Sequence, residues 1–341
     1  CCDRFGLYGA VSHGIADSMC KIFIGIWTAT AACFYLVYTK VEAAAAVEQL
    51  TALQYLVRFF ANADWTLWLA LMIPYSVFFF LVDAHATWRV IRWYNAPELR
   101  FTSVLPIRAS AYILSLVNEQ VSKGAMTLYL LRHHKVPGWQ ALSSMIMLAM
   151  VEIYQLLLWS AIGVLLYFEL VVAASTTLPV DQILIGVFIA AAAYFPLHIL
   201  YFRGHLLSRW RLREMDVLTA FRSAPVIDYV LILLFKAPNL LGAVVVYTLS
   251  LSLFNVDVSF GLMLAFLPVI FLAAALPLPF HAGAHVLWTV LFPEYPEIGA
   301  FSLVMHTFFV LFNAFIGVLF LPRANRELFD EDTPIGTGEP S

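Results

Sequence analysis

Charged residues are scarce in this chain of 341 residues, because Asp, Glu, Lys and Arg together make up only 12% of it. Soluble domains carry roughly a quarter charged residues. Hydrophobic residues make up 62% and gather in long runs. A run of about 20 apolar residues is the length that crosses a bilayer as a helix. The scarcity of charge therefore excludes an ordinary soluble domain and predicts an all-α, polytopic membrane protein.

Motifs of soluble enzymes and nucleotide-driven pumps are also missing from the sequence. It contains no phosphate-binding Gly-rich loop and no G-x-S-x-G motif. Its four cysteines lie within the first 33 residues and form no CxxC pair, which argues against a zinc or disulfide framework. We therefore expect no enzyme activity, no cofactor, no metal and no nucleic-acid partner. Any transport would be passive, ion-coupled or driven by a partner protein.

Apolar runs divide the chain into spans, broken regions and surface segments. Regions 105–131 and 261–292 are apolar but broken near the middle by polar residues, Gly or Pro. Stretches 41–62 and 203–223 place apolar residues at helical spacing beside charged ones, a pattern typical of interfacial amphipathic helices. The acidic tail, 322–341, is predicted to be disordered and cytoplasmic. The six predicted spans are 20–39, 65–84, 141–168, 183–202, 225–254 and 298–321.

The distribution of basic residues predicts the orientation of these spans. Lys and Arg cluster in 89–108, 132–135 and 203–222, whereas 169–182 and 255–259 contain neither. Basic loops stay on the cytoplasmic side of a membrane. The sequence therefore predicts a protein of the inner, cytoplasmic membrane with both termini in the cytoplasm.

Both flanks of region 105–131 are cytoplasmic by this rule, so the region is predicted to enter and leave the membrane as a re-entrant hairpin. The alternative is one tilted span with a Glu119–Lys123 pair at its centre. Counting the spans onward from the cytoplasmic side places both ends of region 261–292 on the outer side of the membrane. This makes the region a second hairpin, broken at LPLPFHAGAH.

The order of spans and hairpins divides the chain into an N-terminal segment, 1–19, and two similar halves, 20–168 and 183–321. One hairpin would enter from the cytoplasm and the other from outside. Such an inverted repeat, with broken segments meeting near the membrane midplane, is an architecture of transporters.

Polar residues at the tip of the first hairpin are the strongest candidates for a functional site, because charge inside a membrane is costly. Lys123 would hold a phosphate as a point charge. Asn118 and Ser122 offer hydrogen bonds, and Glu119 would neutralise Lys123 until an anionic headgroup displaces it. The alternative is a self-satisfied polar plug that only closes the hairpin.

Later spans carry further candidates for binding a headgroup or lining a cavity. Lys236 lies well inside a span with Asn239 near it, and would face a polar cavity or pair with Asp228 at i,i+8. Glu152 and Gln155, one helical turn apart, would line the same cavity or hydrogen-bond between helices.

Histidines and a basic cluster complete the candidate set. His281 and His285 have the i,i+4 spacing of a two-histidine metal site, but no third ligand is near them in the sequence. We therefore expect them to line the cavity or bond to carbonyls freed by the break. Arg132, in the sequence RHHK, is expected to face lipid headgroups.

Two stretches carry a family resemblance. KGAMTLYLLRHHKVPGWQALSSMIMLAMVEIYQLLL resembles the first conserved region of the lysylphosphatidylglycerol-synthase transmembrane, or flippase-like, family. LPVIFLAAALPLPFHAGAHVLWTVLF resembles the second. The resemblance covers roughly residues 20 to 325 and implies a polytopic protein that moves lipids or lipid-linked sugars between leaflets. Some members carry an aminoacyl-transfer domain, which these residues do not contain.

The sequence departs from the family pattern at charged positions. Gly124 matches the family's glycine, but Ala125 stands at its acidic position and Leu128 near its arginine. Pro277 and Gly283 match the second region, with His281 and His285 in the surrounding positions. The resemblance favours translocation of an anionic or polyprenyl-linked lipid. An accessory subunit among other integral membrane proteins is the alternative, and a lipid-modifying enzyme is a weaker one.

Overall fold

The computed structural model describes residues 11–115, 119–174, 179–207, 211–275 and 278–329. Within these ranges the chain is helical and contains no strand. The prediction of an all-α protein is confirmed.

Among the described residues, six helices are long and apolar enough to cross a membrane, which indicates a multi-pass membrane protein. Many of their large apolar side chains are exposed, for example Leu165 at 78% and Ile189 at 66%. Water does not tolerate so much contiguous apolar surface, whereas lipid does. The six are α1 (Val11–Val47, apolar over Phe23–Val47), α3 (Trp65–Tyr94), α6 (Gly138–Leu166), α8 (Val180–Phe202), α10 (Val226–Leu253) and α13 (Ile298–Phe329). A short helix, α7 (Phe168–Ala174), lies between α6 and α8.

Both broken regions form pairs of short helices that pack against each other. The first pair is α4 (Phe101–Ser115) and α5 (Glu119–His133), and the second is α11 (Phe260–Ala274) and α12 (Ala282–Leu291). A 3-10 turn, Pro279–His281, precedes α12. At 1.5 Å per residue, a helix of 15 residues is roughly 22 Å long, which is less than the hydrocarbon thickness of about 30 Å. None of the four helices is therefore long enough to be a span by itself.

The chain forms two compact units, each assembled from three separate segments. The units do not coincide with the predicted halves at 20–168 and 183–321. The first unit consists of Cys1–Asp64, Trp159–Leu184 and Leu251–Met305; the second consists of Trp65–Leu158, Ile185–Ser250 and His306–Ser341.

The prediction of one amphipathic helix over 41–62 is wrong. Helix α1 continues into this stretch and stops before Gln49, whose φ of 59° lies in the left-handed region that ends a helix. A separate helix, α2 (Ala52–Ala61), then begins. The Thr51 side-chain oxygen accepts a hydrogen bond from the backbone N–H of Gln54, and the Gln54 side-chain oxygen accepts one from the backbone N–H of Thr51. This reciprocal capping box satisfies two backbone donors and fixes the start of α2.

A single amphipathic helix over 203–223 is also not formed. Gly204 (φ 80°) and Leu207 (φ 49°) both have left-handed backbone, which stops α8 from continuing. The rest of the described part of this stretch is a series of short turns, the 3-10 segments Arg211–Glu214 and Asp216–Leu218 and the short helix α9 (Thr219–Ser223).

The predicted disordered tail, 322–341, begins too early. Helix α13 extends to Phe329. Ala324 is fully buried in a cluster with residues of α3, α4, α5 and α6, and Arg323 and Glu327 form an i,i+4 ion pair at 3.7 Å. Burial of Ala324 and this pair keep the first part of the tail helical, and residues 330–341 lie outside the described ranges.

Candidate functional site

A cluster of buried charges lies inside the second unit, centred on Asp83 of α3. Its Oδ2 accepts a hydrogen bond from Arg108 Nε of α4 at 2.5 Å, and its Oδ1 accepts one from Lys236 Nζ of α10 at 2.8 Å. The Asp83 and Lys236 side chains are each only 3% exposed. One carboxylate therefore joins two cations from two other helices.

Two further side chains, Tyr112 and Glu152, complete the cluster. Together, these five residues form a charge network: Asp83, Arg108, Tyr112, Glu152 and Lys236. The Tyr112 hydroxyl donates to Asp83 Oδ2 at 3.1 Å, and its ring lies 5.3 Å from the Arg108 guanidinium carbon. Lys236 Nζ also donates to Glu152 Oε1 of α6 at 3.2 Å. The network thus contains two acids and two bases, so it has no net charge with all four ionised.

The charge network lies deep along its helices. By the helical rise, Asp83 is about 16 Å from the Tyr94 end of α3, and Lys236 is about 15 Å from the Val226 end of α10. Half of a hydrocarbon core is also about 15 Å. Charges at this depth are tolerated only when they are paired or face a polar cavity. The internal neutrality of the network meets that requirement.

Exposure differs sharply within the network. Glu152 is 40% exposed and Arg108 is 17% exposed, whereas Asp83 and Lys236 are almost completely buried. The Lys236–Asp83 pair is therefore inaccessible, and the Lys236–Glu152 contact is the one that an outside group can reach. Removing one member of a buried ion pair leaves an uncompensated charge, so Asp83 is the structural centre and Glu152 the exchangeable member.

Asn239, one turn after Lys236, fastens α10 to α3. Its Nδ2 donates to the Phe79 carbonyl at 3.2 Å, and its own backbone carbonyl accepts from the Tyr75 hydroxyl at 3.4 Å. Its buried Oδ1 has no hydrogen-bond partner in the described part of the chain. The predicted role of Asn239 in binding a headgroup stays a prediction, while its contacts position the helix that carries Lys236.

The structure brings together some of the residues predicted from the sequence. Lys236 and Glu152 are in contact, and Gln155, one turn from Glu152, is buried at 3% exposure. The suggested pairing of Lys236 with Asp228 is wrong, because Lys236 bonds to Asp83 while Asp228 accepts a hydrogen bond from the Tyr94 hydroxyl. Tyr94 ends α3 and Asp228 lies near the start of α10, each about two to three helical turns from the network residue on its own helix.

The predicted tip of the first hairpin is not tested by the structure. Asn118 lies outside the described residues, as do the side chains of Glu119, Ser122 and Lys123. Arg132 is exposed near the end of α5. The predictions for all five positions stay predictions.

His281 and His285 belong to the first unit, and their surroundings differ. His285 is 2% exposed, and its Nδ1 lies 2.6 Å from Ser302 Oγ. The Ser302 hydroxyl donates to the Gly299 carbonyl at 2.8 Å, so Nδ1 is the donor in the His285 bond. His281 has left-handed backbone at the start of α12. Over the described ranges, no three His, Cys, Asp or Glu side chains are placed to hold a metal ion.

Sequence reasoning missed Asp83 and misjudged Arg108. Arg108 falls in the cluster 89–108 that the distribution of basic residues assigns to the cytoplasm, and Asp83 lies near the end of the predicted span 65–84. The usable signal is charge balance inside apolar segments: a buried Lys236 requires an acid, and Asp83 lies in another span. What the sequence does not give is which acid meets which base.

The arrangement can hold an anion by exchange. A phosphate oxygen is an acceptor like the Glu152 carboxylate, so it can take the place of Glu152 at Lys236 Nζ without removing Asp83.

Comparison of the chain with protein-family models, with curated proteins and with solved structures gives no match.

Proposed function

We propose that this protein binds the anionic headgroup of a lipid inside the membrane and moves the lipid between leaflets. The observation that carries the proposal is the contact of the buried Lys236 with the half-exposed Glu152, at 3.2 Å. The resemblance to the flippase-like family supports the same function. A polyprenyl-linked phosphate presents the same chemistry to the site as an anionic phospholipid does.

The charge network would lower the barrier that a charged headgroup meets in hydrocarbon. An isolated charge at the bilayer centre costs several kcal/mol, on the order of 3 or more. When the phosphate takes the place of Glu152, Lys236 keeps two anionic partners. Because Asp83 remains bound to both cations, the helices stay fixed while one acceptor is exchanged for another.

The proposal includes the finer topology predicted from the sequence. Pairs α4–α5 and α11–α12 would be re-entrant hairpins related by an inverted repeat, in an inner membrane with both termini cytoplasmic. Single cysteines replacing Arg100 and His134 are expected to react with an impermeant thiol reagent from the cytoplasmic side, and one replacing Asp257 from the other side. Opposite sides for Arg100 and His134 would make region 105–131 a simple span.

Lipid movement in vesicles tests the function. The full chain is reconstituted with trace fluorescent phosphatidylglycerol or phosphatidylcholine, and loss of outer-leaflet fluorescence after reduction with dithionite is followed. We expect faster movement of phosphatidylglycerol, and loss of that preference in Lys236→Met. Since Lys236→Met removes a partner of Asp83 and can misfold, Glu152→Gln is the decisive variant.

Glu152→Gln removes the competing carboxylate while Lys236 keeps Asp83. We expect this variant to bind phosphatidylglycerol more tightly, by about tenfold for the loss of one charged competitor. Glu169→Gln, at an exposed acid outside the network, is the matched control and should behave as wild type. Folded wild-type protein that moves neither lipid, or equal behaviour of the two Gln variants, contradicts the proposal.

A non-catalytic subunit of a larger membrane complex is the second candidate function. The observation that favours it is the internal neutrality of the network, since four charges that satisfy one another also suit a clamp between α3, α4, α6 and α10. Under this alternative, the protein purifies from its native membrane in fixed stoichiometry with other integral subunits. Glu152→Gln would then leave lipid binding unchanged.

A further inference from the structure

An apolar groove of about 390 Å³ lies between α3 and α10 in the second unit. Phe78, Leu81 and Val82 line it from α3, and Leu234 and Phe235 line it from α10. Leu81 and Leu234 are 43% and 60% exposed, so this face opens outward and is separate from the buried Asp83–Lys236 contact. A groove of this composition on a membrane-spanning pair of helices favours a hydrocarbon chain.

A cation stands at one end of the groove. His85 is the polar residue of the lining, and Arg89, one turn further along α3, donates from Nε to His85 Nε2 at 3.4 Å. The Arg89 guanidinium carbon lies 4.9 Å from the Trp88 ring centre and 5.6 Å from that of Phe235. These contacts hold the guanidinium beside the groove.

Arg89 is half-buried, and no carboxylate forms an ion pair with it among the residues that the structure describes. An arginine offers five N–H donors in a planar fork that matches phosphate oxygens. With Nε directed to His85, the terminal nitrogens remain for an anion. The charge at this end of the groove is therefore complementary to a phosphate.

The groove and Arg89 follow each other along α3. From Phe78 to His85 the helical rise gives about 10 Å of apolar groove, and Arg89 lies about 6 Å beyond His85 on the same helix. An occupant that fills the groove and reaches Arg89 has a hydrocarbon tail and an anionic head. We infer that the groove holds an acyl chain of an anionic phospholipid whose phosphate is bound by Arg89. This inference goes beyond the proposed function, because it requires a resident lipid and no translocation.

Retention of defined lipids by the purified full chain tests the inference. The protein in detergent is mixed with equal amounts of phosphatidylglycerol and phosphatidylcholine, and bound lipid is counted by native mass spectrometry. Wild type should retain phosphatidylglycerol preferentially. Arg89→Gln should lower phosphatidylglycerol retention about tenfold, the effect of losing one charge-assisted interaction, and leave phosphatidylcholine unchanged. Leu234→Trp, which fills the groove, should lower the retention of both.

Arg92→Gln is the matched control. Arg92 also stacks on Trp88, at 5.1 Å, but its Nε donates to the Pro97 carbonyl at 2.8 Å and it does not line the groove. It should retain lipid as wild type does. Arg89→Lys, which keeps the charge without the planar fork, should give intermediate retention and guards against misfolding of Arg89→Gln.

Equal retention of the two lipids by wild type, or equal losses in Arg89→Gln and Arg92→Gln, would overturn the inference. Vesicle assays of the same preparations keep this result separate from the proposed function. A failure here leaves the response to Glu152→Gln intact, whereas a failure of translocation leaves lipid retention at Arg89 intact.

Discussion

Helix pairs α4–α5 and α11–α12 both interrupt the apolar sequence, yet each is held in its own unit by different chemistry. In α4, Arg108 forms an ion pair with Asp83 of α3. In α11, the Ala265 carbonyl accepts from the Ser160 hydroxyl of α6 at 2.6 Å. Beside that bond, a Cβ on Gly163 would lie only 2.6 Å from the Ala265 backbone nitrogen. One pair is fixed by long charged side chains and the other by close backbone packing.

The two regions differ in how well they tolerate a change of contact. Contacts between small residues bring backbones together and leave no room for an alternative partner. An ion-pair network holds its helices through side-chain ends that can exchange acceptors while most of the bonds persist. The proposed function therefore rests on the charged region, and the packed region has a structural role.

Removal of Asp83 should have the largest effect on stability. Asp83→Asn leaves Arg108 and Lys236 with only Glu152 as an anionic partner, so one buried positive charge is uncompensated. We expect a loss of about 3–5 kcal/mol in the free energy of unfolding, measured by denaturant titration in mixed micelles. Asp257→Asn, at an exposed acid, should change it little.

A double variant sharpens this expectation. Lys236→Met removes one of the two cations that have only Glu152 as an anionic partner after Asp83→Asn. The combined loss should be smaller than the sum of the two single losses, because the residues share one network. Strict additivity would show that Asp83 and Lys236 do not depend on each other.

The next largest loss of stability is expected from a substitution where α6 and α11 pack closely. Gly163→Ala places a methyl group against the Ala265 backbone, which cannot move aside as a side chain can. We expect a loss of about 1–3 kcal/mol from overpacking. Gly186→Ala in α8, where a Cβ meets nothing within 4 Å, should instead stabilise by about 0.5–1 kcal/mol. Similar stability changes for the two variants would mean that α6 and α11 are not in close contact.

Removing the Ser160 hydroxyl, beside that contact, should have a smaller effect on stability. Ser160→Ala removes the hydrogen bond to Ala265 O, for an expected loss of about 1 kcal/mol. Ser144→Ala is the control on the same helix, since among the described residues Ser144 bonds to the Gln140 carbonyl one turn away and to no other helix. Equal thermal shifts for these two serine variants would rule out a stabilising role for the interhelical bond.

The smallest effect on stability is expected at Glu152. Its side chain is 40% exposed, and Lys236 keeps Asp83 when it is removed. Glu152→Gln should therefore cost roughly 0–1 kcal/mol, as for an exposed ion pair. A loss as large as that of Asp83→Asn would make Glu152 a structural member and remove its role as the exchangeable acceptor.

Local features of the molecule could be predicted from the sequence, and longer-range ones could not. Each predicted span overlaps a long apolar helix, since span length follows from bilayer thickness alone. The breaks at 105–131 and 261–292 were likewise visible as polar or Pro-containing interruptions. The helix predicted over 203–223 does not form because Gly204 and Leu207 have left-handed backbone. Hydrophobic periodicity does not report backbone conformation.

By itself, the sequence determined that the chain is helical and suited to membranes, and that Lys236 and Glu152 are costly residues in apolar surroundings. Only the tertiary structure decided that Asp83 is their common partner and that Arg108 belongs with them. The reason is physical. Burial makes a charge require a counter-charge, but the sequence does not show which acid lies close to which base. The packing of α3 against α4 and α10 selects one.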